Sequence, residues 1–472
     1  MKELKFLRVL SQLSKPELQK FKKFLDSPYC NSNPILSLLF SAVVSVETGS
    51  VNESVDKSNV WKQLYAEKEF NDPKWRKTCN DLLTALQKFF TFEQIDHNQL
   101  LEENLLLEYL YEHKLESMYK SVAQSAQSSF ERNKNLSSEY HLQRFQLERN
   151  LYDLLEYDIN MESQSNQETI HHYLDLFYIS EKTKQLVNAA TRRHDFNLPI
   201  FIKLEEEVID IIEKNNFQQY PEIDIYYRIY QLKRNANTEA GYKELKLKLY
   251  ENILKFPLDD AVDIFKEIIN YCIFQYNQGL NLFVHEALEW YKYGLKFDLT
   301  FPQDKFHPGH FLNIVLFGIR TKEFTWTENF IEEYQKIIPP DQKHTLVTFS
   351  LARLYFNQKK FDQVIEKLRD VEFDELTYNL DSKVLLLATY FEVEEWPALV
   401  SLADSFRTFL NRHEKDITAA KKLRYSNFIK FVKRLSKVKY QDQAAKTKVI
   451  ADIKSTEGVV NQGWLIEKAM AV

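Results

Sequence analysis

The side chains able to do chemistry are eleven histidines, three cysteines and several runs of carboxylates. None of them falls into a reactive pattern. His171 and His172 are adjacent, and neighbours on a helix diverge by about 100°, which keeps them from closing on one metal. His307 and His310 flank Pro308-Gly309 ahead of a helix. That spacing suits two ligands, but zinc needs three or four. His285-Glu286 opens like the zincin HExxH, yet Glu289 stands where the second histidine belongs. There is no GxSxG elbow, Walker sequence or GxGxxG turn. Glu205-Glu206-Glu207 reads as the solvated side of an amphipathic helix. The expectation is a protein without enzymatic activity, cofactor or metal.

The strongest charge feature lies near the C-terminus. Lys421, Lys422 and Arg424 precede Lys430, Lys433, Arg434 and Lys437, interleaved with Tyr425, Phe428, Phe431 and Tyr440. A basic face beside aromatic rings can grip a phosphate backbone and stack bases. However, Phe428, Phe431, Leu435 and Val438 recur at helical spacing, which turns the rings toward a core and away from the lysines. The favoured reading is a basic capping helix. The candidate surface patch is Lys430, Lys433, Arg434 and Lys437, and the alternative function is nucleic-acid association through it.

The elements that carry these residues are helices. Only 8 of 472 residues are glycine and 12 are proline, where average usage gives roughly 33 and about 24. Sheets with tight turns, and phosphate-cradling loops, need more glycine than this. Aromatics make up 14% of the chain, with 34 Phe and 26 Tyr to fill the space between helices. A net charge of −6 makes no global case for nucleic acid or an anionic membrane. Cys30, Cys79 and Cys272 are odd in number and far apart, which argues against disulfides and zinc. No apolar run is long enough for a transmembrane span, and the N-terminus has no convincing secretory signal. The expected setting is the reducing cytoplasm.

Four regions follow from the pattern. Residues 1–95 form an N-terminal helical domain, with a Ser14/Glu17 capping box, a polar loop over 47–59 and a stripe of Trp75, Cys79, Leu82, Leu83, Leu86, Phe89 and Phe90. Their nearly balanced charge argues against a DNA-binding helix-turn-helix. Residues 96–216 carry longer helices, with expected core positions at Leu101, Leu105, Tyr109 and Tyr111, at Leu142, Phe145, Leu151, Leu154 and Leu155, and at Leu174, Phe177, Tyr178 and Leu186. Residues 217–412 show a period: Pro221 and Pro257 are 36 apart, Pro302 and Pro339 are 37 apart. Residues 413–472 hold the basic capping helices.

A helical period in the 30s marks an α-solenoid, because one hairpin cannot bury both of its faces. Leu351, Ala352, Tyr355, Phe361, Val364 and Leu368 resemble a tetratricopeptide repeat: a small residue in helix A, an aromatic three residues on, and an aromatic opening helix B. Ala388, Phe391, Trp396 and Val400 repeat the pattern, and Gly318, Phe324 and Phe330 precede it more loosely. Val364 and Val400 replace the usual small residue of helix B. The run from Leu13 to Pro34 also resembles the opening of uncharacterised bacterial helical proteins, and that likeness carries no function. The repeat resemblance implies an all-α hairpin array acting as a protein-interaction scaffold. A peptide or partner helix would lie on its concave face, along 312–321, 346–356 and 382–392.

Overall fold

The computed structural model describes residues 5–52, 56–66, 69–155, 166–196, 198–234, 239–369, 371–373, 375–437 and 443–471. The side chains of 153–155, 194–196 and 443–444 lie outside that description, as do Val438 and Tyr440 of the basic stretch. The fold is all-α. Among the described residues the only strands are two of two residues each. No described helix is long and apolar enough to cross a membrane. The chain divides into two compact units, residues 1–185 with 203–223 and residues 186–202 with 224–472.

The first unit begins with α1 (Lys5–Leu10), α2 (Lys15–Asp26) and α3 (Pro34–Val43). The backbone N–H of Ser14 donates to the Glu17 carboxylate at 2.7 Å, and its hydroxyl donates to the same oxygen at 2.6 Å, which fixes the start of α2. Both bonds hold the Glu17 carboxyl below its ordinary value. β1 (Val44–Ser45), just ahead of the expected 47–59 loop, pairs antiparallel with β2 (Ser50–Val51) inside it. Gly49 turns the chain at φ +71°, and Val44 is buried. Next come α4 (Lys57–Tyr65) and α5 (Asp72–Asp96), the latter capped by the Asn71 side chain at 2.9 Å from the Lys74 N–H. α1, α2 and α3 all pack on α5. Trp75, Cys79, Leu82, Leu86 and Phe89 enter this core, and Leu83 and Phe90 line its edge.

α6 (Gln99–Glu112), α7 (Glu116–Arg132) and α8 (Ser138–Leu155) pack on one another. α9 (Gln167–Phe196) follows, then α10 (Glu205–Lys214) and α11 (Pro221–Arg234), and the division between units falls within α9 and α11. Here the buried faces differ from the apolar stripes expected from sequence. Leu105 and Tyr109 are exposed, while Leu100, Asn104, Leu107 and Leu110 are buried. On α9, Leu174 and Tyr178 are exposed, Phe177 is half-buried, and Leu176, Ile179, Thr183 and Leu186 form the core face. The reason is hydrogen bonding. Asn104 Nδ2 donates to the backbone of Gln143 at 2.9 Å, and the Ser180 and Thr183 hydroxyls donate to their own helix at 2.6 Å. Satisfied polar groups can occupy core positions that hydrophobicity alone would give to leucine.

The second unit contains α12 (Glu239–Asn252), α13 (Leu258–Asn277), α14 (Leu282–Lys296), α15 (Pro308–Arg320), α16 (Phe324–Tyr334), α17 (Pro340–Asn357), α18 (Phe361–Leu368), α19 (Leu376–Glu392) and α20 (Trp396–Arg412). It closes with α21 (Ala419–Leu435), α22 (Gln443–Ser455) and α23 (Gln462–Ala471). From α15 onward, α15, α17, α19 and α21 each pack on the next member of that series. The intervening α16, α18 and α20 each pack on the helices before and after them. One apolar core runs from Phe349 to Ala469, crossing the boundary expected at 412/413. Ala352 and Ala388 are fully buried. Gly318 is buried too, and a Cβ there would come within 2.1 Å of Thr327 Oγ1.

That contact sets a measurable expectation. Gly318→Ala should destabilise the protein by about 1–3 kcal/mol through overpacking. Thr327→Ala, which removes the obstructing oxygen, should recover part of the loss in the double variant. Urea midpoints with an unchanged m-value would read the effect; strictly additive losses would rule out this contact as the cause.

Candidate functional site

The histidines and thiols lead to structural roles. His171, His172 and His285 are exposed. His307 Nδ1 accepts from the Gly309 N–H at 3.2 Å and so caps α15, while His310 Nδ1 lies 3.1 Å from the Tyr291 hydroxyl. Among the described residues no three His, Cys, Asp or Glu side chains group as a metal site. Glu286 and Glu289, from the failed HExxH, both receive Lys246 Nζ, at 2.6 and 2.8 Å. Tyr242 donates to Glu286 and Tyr250 to Glu289, joining α12 to α14. Cys79 and Cys272 are buried free thiols, and burial pushes each up to about 12, which leaves them unreactive near neutrality. Glu205, Glu206 and Glu207 occupy the first turn of α10, where the helix dipole favours carboxylates.

The basic patch is split by its surroundings. Lys433 Nζ pairs with Asp404 at 2.8 Å, and Arg434 Nη1 pairs with Asp452 at 2.5 Å. Lys430 and Lys437 remain exposed on α21 and beside its end. Upstream, Lys422 pairs with Glu414, and Lys421 donates to Thr377 Oγ1 at 3.0 Å. Tyr425, Phe428 and Phe431 are buried, so these rings are not available to stack on bases.

Sequence reasoning did not find the buried polar centre of the first unit. His141 Nε2 lies 2.6 Å from Glu222 Oε1, with both side chains almost wholly buried. Arg144 pairs with Glu148 at 2.9 Å and lies over the rings of Phe130 and Tyr173. Asn166 donates to Glu148, and Tyr119 to the backbone of Asn150. Among the described residues His141 Nδ1, Glu222 Oε2 and Arg144 Nε have no partner. The burial of His141, Gln143, Glu148 and Asn150 means that α8 meets the core largely through polar residues. The signal was present only as an excess of polar residues on a helix whose apolar stripe is weak.

The three helix-A segments fare differently. On α19, Ser382, Val384 and every residue from Leu386 to Phe391 are buried, and Glu392 is held by Trp464 and Lys468 of α23. That segment offers little surface. On α15 and α17, by contrast, Leu312, Asn313, Leu316, Gln342, Thr345 and Phe356 are half-exposed.

Arg353 on α17 is half-buried. Its side chain makes no ion pair or hydrogen bond among the described residues, only a contact 5.7 Å from its neighbour ring, Phe349. Burial lowers its pKa, against the attraction of Asp381 and with the repulsion of Arg320. Asp381 is already engaged, accepting from the Tyr425 hydroxyl at 2.7 Å. A guanidinium left without an acid in a partly dry setting is an anion-accepting group.

No family model, curated protein or solved structure matches this chain.

Proposed function

We propose that the protein is a non-enzymatic interaction scaffold, a tetratricopeptide-like helical array that binds a peptide or partner helix along α15 and α17. The observation that carries this reading is the half-buried Arg353, which forms no ion pair or hydrogen bond among the described residues, on a face whose neighbours are half-exposed. Supporting it are the repeated small residues Gly318, Ala352 and Ala388, and the packing of α15, α17 and α19 on one another. Free thiols suit a reducing compartment, in keeping with a cytoplasmic protein.

The alternative, nucleic-acid association through α21, has less support. Lys433 and Arg434 of the four-residue patch are neutralised by Asp404 and Asp452, and the rings of Tyr425, Phe428 and Phe431 are buried.

A photocrosslinking residue placed in the cell's own copy of the protein tests the reading. Incorporated at Gln342 or Leu316, it should yield a discrete protein adduct; at Leu247, exposed on α12, it should not. Adducts absent from both α15 and α17 positions, or equal at Leu247, would overturn the proposal.

A further inference from the structure

The face between α15, α17 and α19 carries opposite charges at its two ends. At one end the starts of the three helices surround a pocket of about 330 Å³ whose lining includes Pro308, Gln342, Thr345 and Tyr378 and two carboxylates, Asp341 and Glu375. Both carboxylates are exposed, and neither makes an ion pair or side-chain hydrogen bond among the described residues. Lys421 donates to Thr377, in the first turn of α19, and forms no ion pair with Glu375. At the other end lie Arg353 and, close enough to repel it, Arg320 at the last turn of α15. Among the described residues Asp381, which accepts from the Tyr425 hydroxyl, is the one acid that attracts Arg353, so two cations there face one carboxylate. Arg320 is exposed and likewise makes no ion pair among the described residues.

The two ends lie on one side of α17. Gln342 and Arg353 are eleven positions apart, which at 3.6 residues per turn returns to nearly the same angle, about 16 Å along the axis. α15 runs in matching register, with Pro308 at the pocket and Arg320 beside Arg353. Between the ends the floor is apolar: Leu346 is buried, and Phe349 packs edge-on against Tyr378 with ring centres 5.4 Å apart.

We infer that this groove takes an extended segment of a partner protein bearing a basic side chain for Asp341 and Glu375 and an acidic one for Arg353 and Arg320. The separation of the groove's ends corresponds to about five residues of extended chain. Small or apolar residues lie between, over Leu346 and Phe349. Unpaired charges of both signs select against purely acidic and purely basic segments, since each would place like charges together at one end. The inference rests on the reading of α15 and α17 as a binding face and specifies what that face binds.

Selection of a random twelve-residue peptide display library on the full-length protein tests it. Enriched peptides should carry Lys or Arg about four to six residues from Asp or Glu. As free peptides they should lose at least about tenfold in affinity on Arg353→Glu and on the exposed Arg320→Glu, which leaves the packing untouched. Replacing the peptide's acid by lysine should restore binding to the Arg320→Glu protein. Enriched peptides without the charge pair, or affinities unmoved by Arg320→Glu, would overturn this inference and leave the binding face standing. An empty selection would count against the binding face itself.

Discussion

His141→Leu should cost the folded protein about 3–5 kcal/mol, because it leaves the Glu222 carboxylate buried without its partner. The pair is 2.6 Å apart, and neither side chain reaches solvent to any useful extent. Glu222→Leu should cost a similar amount by stranding His141. The double replacement should be far milder than the sum, because no buried polar group is left without its partner; replacing both members of a buried polar pair by apolar residues of similar shape is often nearly neutral. The measurement is a double-mutant cycle by urea unfolding, read on the transition of the unit that holds both residues. Additive single losses would show that the pair contributes through shape alone.

Acid should weaken the protein through His310, and the direction follows from its environment. Burial, with a smaller contribution from the neighbouring His307 and from Lys266, lowers its pKa to about 4. In an unfolded chain the same imidazole takes a proton near 6.5. Between these values the unfolded state binds the extra proton, so stability is fully present above about 6.5 and falls as pH drops toward 4. The full loss is about 3 kcal/mol. His310→Gln keeps a polar group facing Tyr291 and removes the titration, so the variant should show a shallower acid decline over that window. Unfolding free energies measured near pH 7 and near pH 5 decide it; parallel declines in the two proteins would place the acid sensitivity elsewhere. The buried free thiols add nothing in this range, since both stay protonated.

The fate of the candidate residues follows the same division between local and distant causes. The Ser14–Glu17 cap and the apolar face of α5 involve residues within a few positions of each other, and both were readable from the sequence. The burial of Gly318, Ala352 and Ala388 was anticipated by their spacing. α8 was readable as a helix but not as to its face. Its buried His141 depends on Glu222, 81 positions away, and its buried Gln143 and Asn150 depend on Asn104. The basic patch was legible as a run of lysines, whereas the acids that take two of its charges come from α20 and α22.

By itself, then, the sequence determined the helical class, the start of α2 and the apolar stripes of the N-terminal region, because capping and periodicity act over one or two turns. Only the tertiary structure decided which polar residues could be buried, which cations were neutralised and which were left open. Those outcomes turn on whether a partner of matching charge or hydrogen-bonding capacity arrives from a distant helix, and desolvation makes that difference worth several kcal/mol for a buried charge. Arg353 and Lys433 look alike as residues in a helix. Lys433 meets Asp404 across the fold, Arg353 forms no ion pair among the described residues while Asp381, which attracts it, accepts from Tyr425, and that contrast is what marks the face of α17.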